Sequence, residues 1–594
     1  MSSLDLPPGI AWCFSELPFL SIPGAVVFIG SKVLDVYWAV QLPTWQFILA
    51  LVMSFPLALF LQVSYSDFTN KWAAASHGAV LPPVVRSKLP AGLSVLLGSL
   101  HNFKHGYLSD QFSEWNEEFG YTYNIRVLFE NRMFTSEPEY IKAILATNFE
   151  SFDKGHFFKK QMRSLLGTGV FNSDGEMWKF HRSMTRPFFS RDRIVHFDIF
   201  DRHAIDAISQ LKKRLKEGFP VDIQDLVSRF TMDSATEFLF GQDVRSLSAG
   251  LAYPHYTPED QRLASQNHPS NIFVQAFNEA QNISAIRSRF GPHWRLREFW
   301  QDRAKAQMST VTAFIKPILA SAIAKKAQDG PEKREEVEEG DTLLDHLINF
   351  TSDEKILLDE ILNILLAGRD TTANTLTFAV YMLAEHPDIM QKLREEIISK
   401  VGPSKRPTYD DIKDMKYLRA FINETLRLYP AVPFNSRMTN RAVVLPGIRG
   451  GPSFYIPANT RVLYGLLLMH RRTDLWGPDA GEFDPDRFID ERLKKYLTPN
   501  PFIFLPFNAG PRICLGQQFA YNEVSFFLIR LLQSFRSVSL AVEAQPADSR
   551  PPASWAGSIG PKGRDRVRPR SHLTMYALGG MWVQMEEADS VDDI

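Results

Sequence analysis

Residues 45–63, WQFILALVMSFPLALFLQV, carry no charge. At ~1.5 Å of rise per residue, a helix of that length reaches across the ~30 Å hydrocarbon layer of a bilayer. The chain is therefore expected to be tied to a membrane by an N-terminal transmembrane helix at about 45–63. A cleaved signal peptide is the competing reading, but the first charge in the chain is Asp5 and the apolar run lies too far in. A weaker apolar stretch, 17–29, contains Pro23 and Gly24 and is open as a second span, a re-entrant piece or an interfacial helix. Lys71, Arg86 and Lys88 follow the run, and the positive-inside bias places them, with everything downstream, in the cytosol. Residues 81–92, LPPVVRSKLPAG, hold three prolines that disfavour helix and read as a stiff hinge. The expected division is an anchor segment at 1–80, a proline-rich hinge and linker at 81–109, and one large domain at 110–594.

Composition narrows what that domain does. Lys plus Arg number 66 against 67 Asp plus Glu, without the basic excess of a nucleic-acid binder. Two cysteines, Cys13 and Cys514, exclude a disulfide framework and a four-cysteine zinc site, and fit a reducing compartment. Helical periodicity dominates, with long stretches at 202–218, 303–326 and 356–385. Strand signals are short: 121–129 with the following NRMFTSE, 460–468, and the late HLTMYAL and MWVQM. A mainly α fold with small β-sheets follows. The charge-rich run 329–341 reads as a solvated loop, and the Pro/Gly-rich stretch 545–569 as an irregular insertion.

Cys514 carries the chemistry. In FNAGPRICLGQQFAYNEVSFFLIRLL, Phe507, Gly510, Arg512, Cys514 and Gly516 take the spacing F-x-x-G-x-R-x-C-x-G directly before an apolar helix. Gly510 and Gly516 permit tight turns, while amide N–H groups aimed at the sulfur and a helix N-terminus favour its ionised form. A lone thiolate without neighbouring Cys or His cannot hold zinc, but it can be the one axial ligand of a haem. A lone cysteine is more often a small buried hydrophobe; the pattern around Cys514 decides otherwise. The decapeptide resembles the haem-binding signature of the cytochrome P450 family, which assigns the iron to Cys514 and the cofactor's surroundings to Phe507, Gly510 and Arg512.

Three further segments carry the same resemblance. ETLRLYP, with Glu424 and Arg427, is followed by FDPDRF, with Arg487, and resembles the family's Glu-Arg-Arg triad, whose role is structural. The plain reading of Glu424 and Arg427 is a surface i,i+3 pair. In LLAGRDTTANTLTF, Gly368, Asp370, Thr371 and Thr372 interrupt an apolar helix. The resemblance places this pattern over the haem, with Thr371 hydrogen-bonding the oxygen held there and Asp370 helping to relay protons. The competing reading is a threonine bonded back to a carbonyl one turn earlier. WKFHR sets Trp178 and Arg182 on one helical face. By resemblance both reach a haem propionate, as does Arg437, seven residues after Pro430; surface salt-bridging is the alternative for each arginine.

The resemblance covers roughly residues 110–585 and is most marked with fungal microsomal members, including alkane and fatty-acid hydroxylases. It implies haem b as cofactor and a monooxygenase that inserts one oxygen atom of O2 into an apolar small molecule, a long-chain alkane or fatty acid. Aromatic or polycyclic compounds are the alternative substrates. With no flavin-binding extension, electrons from NADPH would come through a separate NADPH-cytochrome reductase docked on the Cys514 side. The implied location is the endoplasmic reticulum membrane, catalytic domain toward the cytosol. Two other classes are a haem-thiolate isomerase or dehydratase and a non-catalytic haem sensor; the intact Asp370-Thr371 pair counts against both. The insertion 545–569 sits where the family's last substrate-contacting hairpin is expected, which weakens substrate assignment by analogy. His101 and His105 are spaced i,i+4 but lack the glutamate and third ligand of a zinc site.

Overall fold

The computed structural model describes residues 6–189, 197–263, 268–329 and 342–588. The charged run expected as a loop at 329–341 lies outside them except for Asp329, the last residue of the Arg303–Asp329 helix. Two helices open the chain, Pro8–Trp38 and Thr44–Ser76, packed against each other, and both are long and apolar enough to cross a membrane. The weaker stretch 17–29 is thus part of a continuous helix that runs through Pro18 and Pro23, and the expected 45–63 helix extends to Ser76. Their large apolar side chains, Phe19, Val26, Phe28, Trp45 and Phe60 among them, face outward. That surface suits lipid and not water.

Residues 81–109, read as hinge and linker, belong instead to the packed body. Val85 donates its N–H to Asn124 O, and Val85, Val95 and Leu96 are buried. Residues 93–105 form a helix against the first strand. The prolines exclude helix at 81–90, but they leave side chains free to dock on a sheet edge, and apolar area buried there stabilises the contact.

The body is mainly helical around one long central helix, Glu354–Glu385, capped by Asp353, whose carboxylate accepts the N–H groups of Lys355 and Ile356. It is buried along most of its length and packs against the Ile223–Phe240, Lys416–Leu428 and Gln517–Ser534 helices. A five-stranded sheet stands to one side in the order Thr122–Val127, Glu130–Thr135, Arg461–Gly465, Phe434–Thr439, Phe152–Asp153. The apolar run 460–468, expected as one strand, divides into this strand and a buried helical turn, Leu466–Met469. A fully buried run has no alternation to separate strand from helix.

The insertion 545–569 is irregular, with short 3-10 turns, yet firmly held: Trp555 is buried, and Asp565 accepts hydrogen bonds from Tyr107 (2.6 Å) and Tyr429 (2.7 Å). It does not replace the late hairpin. Pro569–Ser571 and Met575–Ala577 pair antiparallel directly after it, and their turn reaches the interior.

Candidate active site

The central helix, the Gly175–Thr185 helix, the cysteine loop and the late hairpin enclose a predominantly apolar cavity of about 570 Å³. Of the residues singled out in the sequence, Cys514, Gly516, Gly368, Thr371, Thr372, Trp178, Arg182, Arg437, Phe507 and Arg512 line it; Asp370 and Gly510 do not.

The cysteine loop is built by close approaches. Cys514 N–H donates to Phe507 O at 3.0 Å, closing the loop between them. Gly510 sits at φ +67, and a Cβ there would lie 1.8 Å from Leu145 O, so no other residue fits. Gly516 differs from expectation: its φ of −83 suits any residue, and its part is to cap the Gln517–Ser534 helix. The Cys514 side chain is enclosed by protein yet reachable from within the cavity. Burial pushes its thiol up from the ordinary value, while the Gly516 N–H and the Arg182 guanidinium pull it down. Arg182 also donates to Ile513 O at 2.8 Å, tying the loop to the Gly175–Thr185 helix.

Beside the loop, cations outnumber carboxylates. Arg512 pairs with Asp174 at 2.9 Å and lies 4.5 Å from the Trp178 ring. Arg437 is buried, bonded through its guanidinium to Ser436 O, and its Nε has no partner among the described residues; nor has that of Arg512. Lys154, which no periodicity or motif marks in the sequence, lines the same wall. Burial and the neighbouring Arg437 and Arg512 drive its amine well below the ordinary lysine value. Asp174 is the carboxylate bonded into the cluster, accepting the Lys154 and Gly155 N–H groups. Although burial raises it, these N–H groups and Arg512 hold it below the ordinary value. Buried cations with orphaned donors suit a ligand that carries its own carboxylates.

On the opposite wall, Thr371 donates its hydroxyl hydrogen to Ala367 O at 2.6 Å, the back-bond weighed above. Its remaining lone pairs are open to the cavity it lines. Asp370 is tied up elsewhere, accepting from Gln281 Nε2 at 2.8 Å and pairing with Arg369 at 3.0 Å. The hairpin turn supplies His572, which the sequence reading passed over. Its Nδ1 accepts the N–H groups of Leu573 and Thr574, and burial pushes its pKa down to about 4, so the ring is neutral with the hydrogen on Nε2.

Glu424, Arg427 and Arg487 meet behind the cavity, all essentially without solvent exposure. Arg427 donates to both Glu424 oxygens at 2.7 Å and to the carbonyls of His470, Ala480 and Glu482; Arg487 reaches Glu424 at 3.4 Å and Trp476 O at 3.0 Å. One carboxylate thus holds two guanidinium groups, and these pin the 470–487 segment to the Lys416–Leu428 helix. The surface i,i+3 alternative does not apply to a pair with no exposure.

The cytochrome P450 family model matches this chain over residues 89–558. The chain is 40% identical over 473 residues to cytochrome P450 52A6 of Candida tropicalis, covering 76% of this chain and 81% of that protein. It is 35% identical over 490 residues to cytochrome P450 52-M1 of Starmerella bombicola, covering 79% and 88%. It is 35% identical over 478 residues to cytochrome P450 monooxygenase pvhE of Talaromyces variabilis, covering 76% and 83%. Proteins of this family bind haem b through a cysteine thiolate, which accords with a cavity lined by a thiol and, beside it, by cations with unused donors. The chain belongs to the cytochrome P450 family of haem-thiolate monooxygenases.

Proposed function

We propose that this monooxygenase hydroxylates a long-chain alkane or fatty acid, drawing NADPH electrons through a separate reductase. Residues 1–80 would anchor it in the endoplasmic reticulum membrane with its catalytic domain toward the cytosol. The observation that carries the substrate reading is the apolar cavity, lined by Phe112, Phe158, Met162, Leu166 and Val170 and continuous with Cys514. Each methylene buried there contributes ~0.8 kcal/mol, and a membrane anchor holds the enzyme where such chains partition. A screen of alkanes and fatty acids of graded length for the spin-state change in the haem spectrum tests it. Clear binding by aromatic compounds with none by any aliphatic chain would reverse the order of substrates.

Bound through Cys514, haem b supplies oxygen activation and insertion; the protein supplies position and protons. Lys154, Arg437 and Arg512, with Trp178 and Arg182 at the same edge, would hold the two propionates. Thr371, its own hydrogen spent on Ala367 O, can accept a hydrogen bond and so hold a water or a protonated oxygen in place. Asp370 and its partner Gln281 would connect that point to protons outside the cavity.

Thr371→Ala removes the acceptor without removing the thiolate. Haem binding and reduction should persist, while product formed per NADPH falls severalfold and hydrogen peroxide release rises. Total NADPH oxidation should fall less. If the hydroxyl only back-bonds in its helix, alanine would be nearly silent or slightly stabilising, and unchanged coupling would remove Thr371 from the catalytic residues.

The anchor reading has its own test. Deleting residues before Leu81 removes both apolar helices and should move the protein from the membrane pellet toward the soluble fraction. Full sedimentation of the detergent-free truncated form would place membrane binding on other surfaces.

A further inference from the structure

The cavity has a second polar region, made of side chains that neither the haem thiolate nor its surrounding cations account for. Arg289, at the end of the Pro269–Phe290 helix, and Arg570, in the late hairpin, both line the cavity. Arg289 stacks on the ring of Phe103, its guanidinium 3.7 Å from the ring centroid, in the Leu93–His105 helix. Arg570 donates to the carbonyls of Asn102, Phe103, Lys104 and Gly106 at the end of that same helix.

The two guanidinium groups are not equivalent. Arg570 is spent: its donors cap helix carbonyls, and the negative end of the helix dipole offsets its charge. The Arg289 guanidinium makes one hydrogen bond among the described residues, from Nη1 to Ala285 O at 2.8 Å, and has no carboxylate partner there. Burial and the neighbouring Arg570 pull its pKa down to about 10, which leaves it a cation at neutral pH. A half-buried cation beside a second one, with most of its donors unused, favours an anion that joins it. Among the described residues no carboxylate does so, and Arg289 lines the cavity. The same cavity is lined by Leu96, Leu108, Phe112 and Met162 and reaches Cys514. A predominantly apolar cavity with a guanidinium in its wall matches a long hydrocarbon chain that ends in a carboxylate.

We propose that Arg289 anchors the carboxylate of an aliphatic acid substrate and so selects acids over neutral chains of the same length. This rests on the aliphatic reading above and refines it. A charge-assisted hydrogen bond changes affinity by on the order of tenfold to a hundredfold when the partner is removed.

The test compares a saturated fatty acid with its methyl ester in the full-length, haem-loaded enzyme, reading dissociation constants from the spin-state change. Wild type should bind the acid at least ~10-fold more tightly than the ester. Arg289→Gln should bring that ratio close to one, and Arg289→Lys, which keeps the charge, should restore part of it. The ferrous-CO spectrum of each variant shows whether the cysteine site is intact. Wild type that binds acid and ester equally would overturn the anchor and leave the aliphatic reading standing. Equal loss of both ligands in Arg289→Gln, with an intact CO spectrum, would make Arg289 a shaping residue and refute the anchor. Wild type that binds neither, yet binds aromatic compounds, would refute both readings.

Discussion

Cys514→His is expected to yield a protein that takes up some haem but shows neither the red-shifted ferrous-CO band nor NADPH-driven turnover. The cations that would meet the propionates, Lys154, Arg437 and Arg512, lie on other segments or beyond the mutated side chain, so part of the haem's binding energy survives. The thiolate does not. It donates electron density that a neutral imidazole cannot, and that donation both shifts the CO band and favours O–O cleavage. The loop adds a steric term: Cys514 N–H closes on Phe507 O at 3.0 Å and Gly510 packs on Leu145 O, so a larger ring has little room to adjust. Absorbance of the reduced, CO-treated protein decides the matter. An unchanged band in the histidine variant would show that Cys514 is not the ligand.

The second large effect is expected from Glu424→Ala. Removing this carboxylate leaves Arg427 without exposure and without a carboxylate partner among the described residues, while Arg487 keeps only Asp479 at 2.9 Å. Breaking a buried pair costs ~3–5 kcal/mol, a large part of the ~5–15 kcal/mol by which a native fold is stable. Because both arginines also hold carbonyls of the 470–487 segment, the loss should spread to the chain that leads into the cysteine loop. Little haem-loaded protein should accumulate, and what does should melt well below wild type. Glu424→Asp, which keeps the charge, should recover part of the yield. If Glu424→Ala gives normal haem content and an unchanged melting temperature, the triad does not hold the fold.

Much of this molecule could be read from local pattern. The cysteine loop is legible because it is contiguous: five spaced residues carry the family's signature around Cys514, the proposed ligand. The candidate anchor is legible because a bilayer demands an uncharged run of fixed length, although Pro23 and Gly24 left the character of the first apolar stretch open, and the helix there continues through Pro18 and Pro23. The packing of 81–109 escaped notice because prolines report on backbone conformation and are silent about docking. Gly516 and Gly510 look equivalent as letters; only the positive φ and the 1.8 Å approach to Leu145 O show that Gly510 alone is irreplaceable.

By itself, then, the order of residues determined a mainly helical chain with N-terminal helices long and apolar enough to cross a membrane and with the family's cysteine signature near its end. Tertiary structure decided what stands around that cysteine. Lys154 joins Arg437 and Arg512 from segments far apart in the chain, His572 owes its tautomer to two backbone N–H groups at a hairpin turn, and Asp370 is turned from the cavity by Gln281 and Arg369. Arg289 acquires its meaning only beside Phe103 and Arg570. A cation's role depends on which charges and how much water surround it, and those are set by contacts that sequence spacing does not encode.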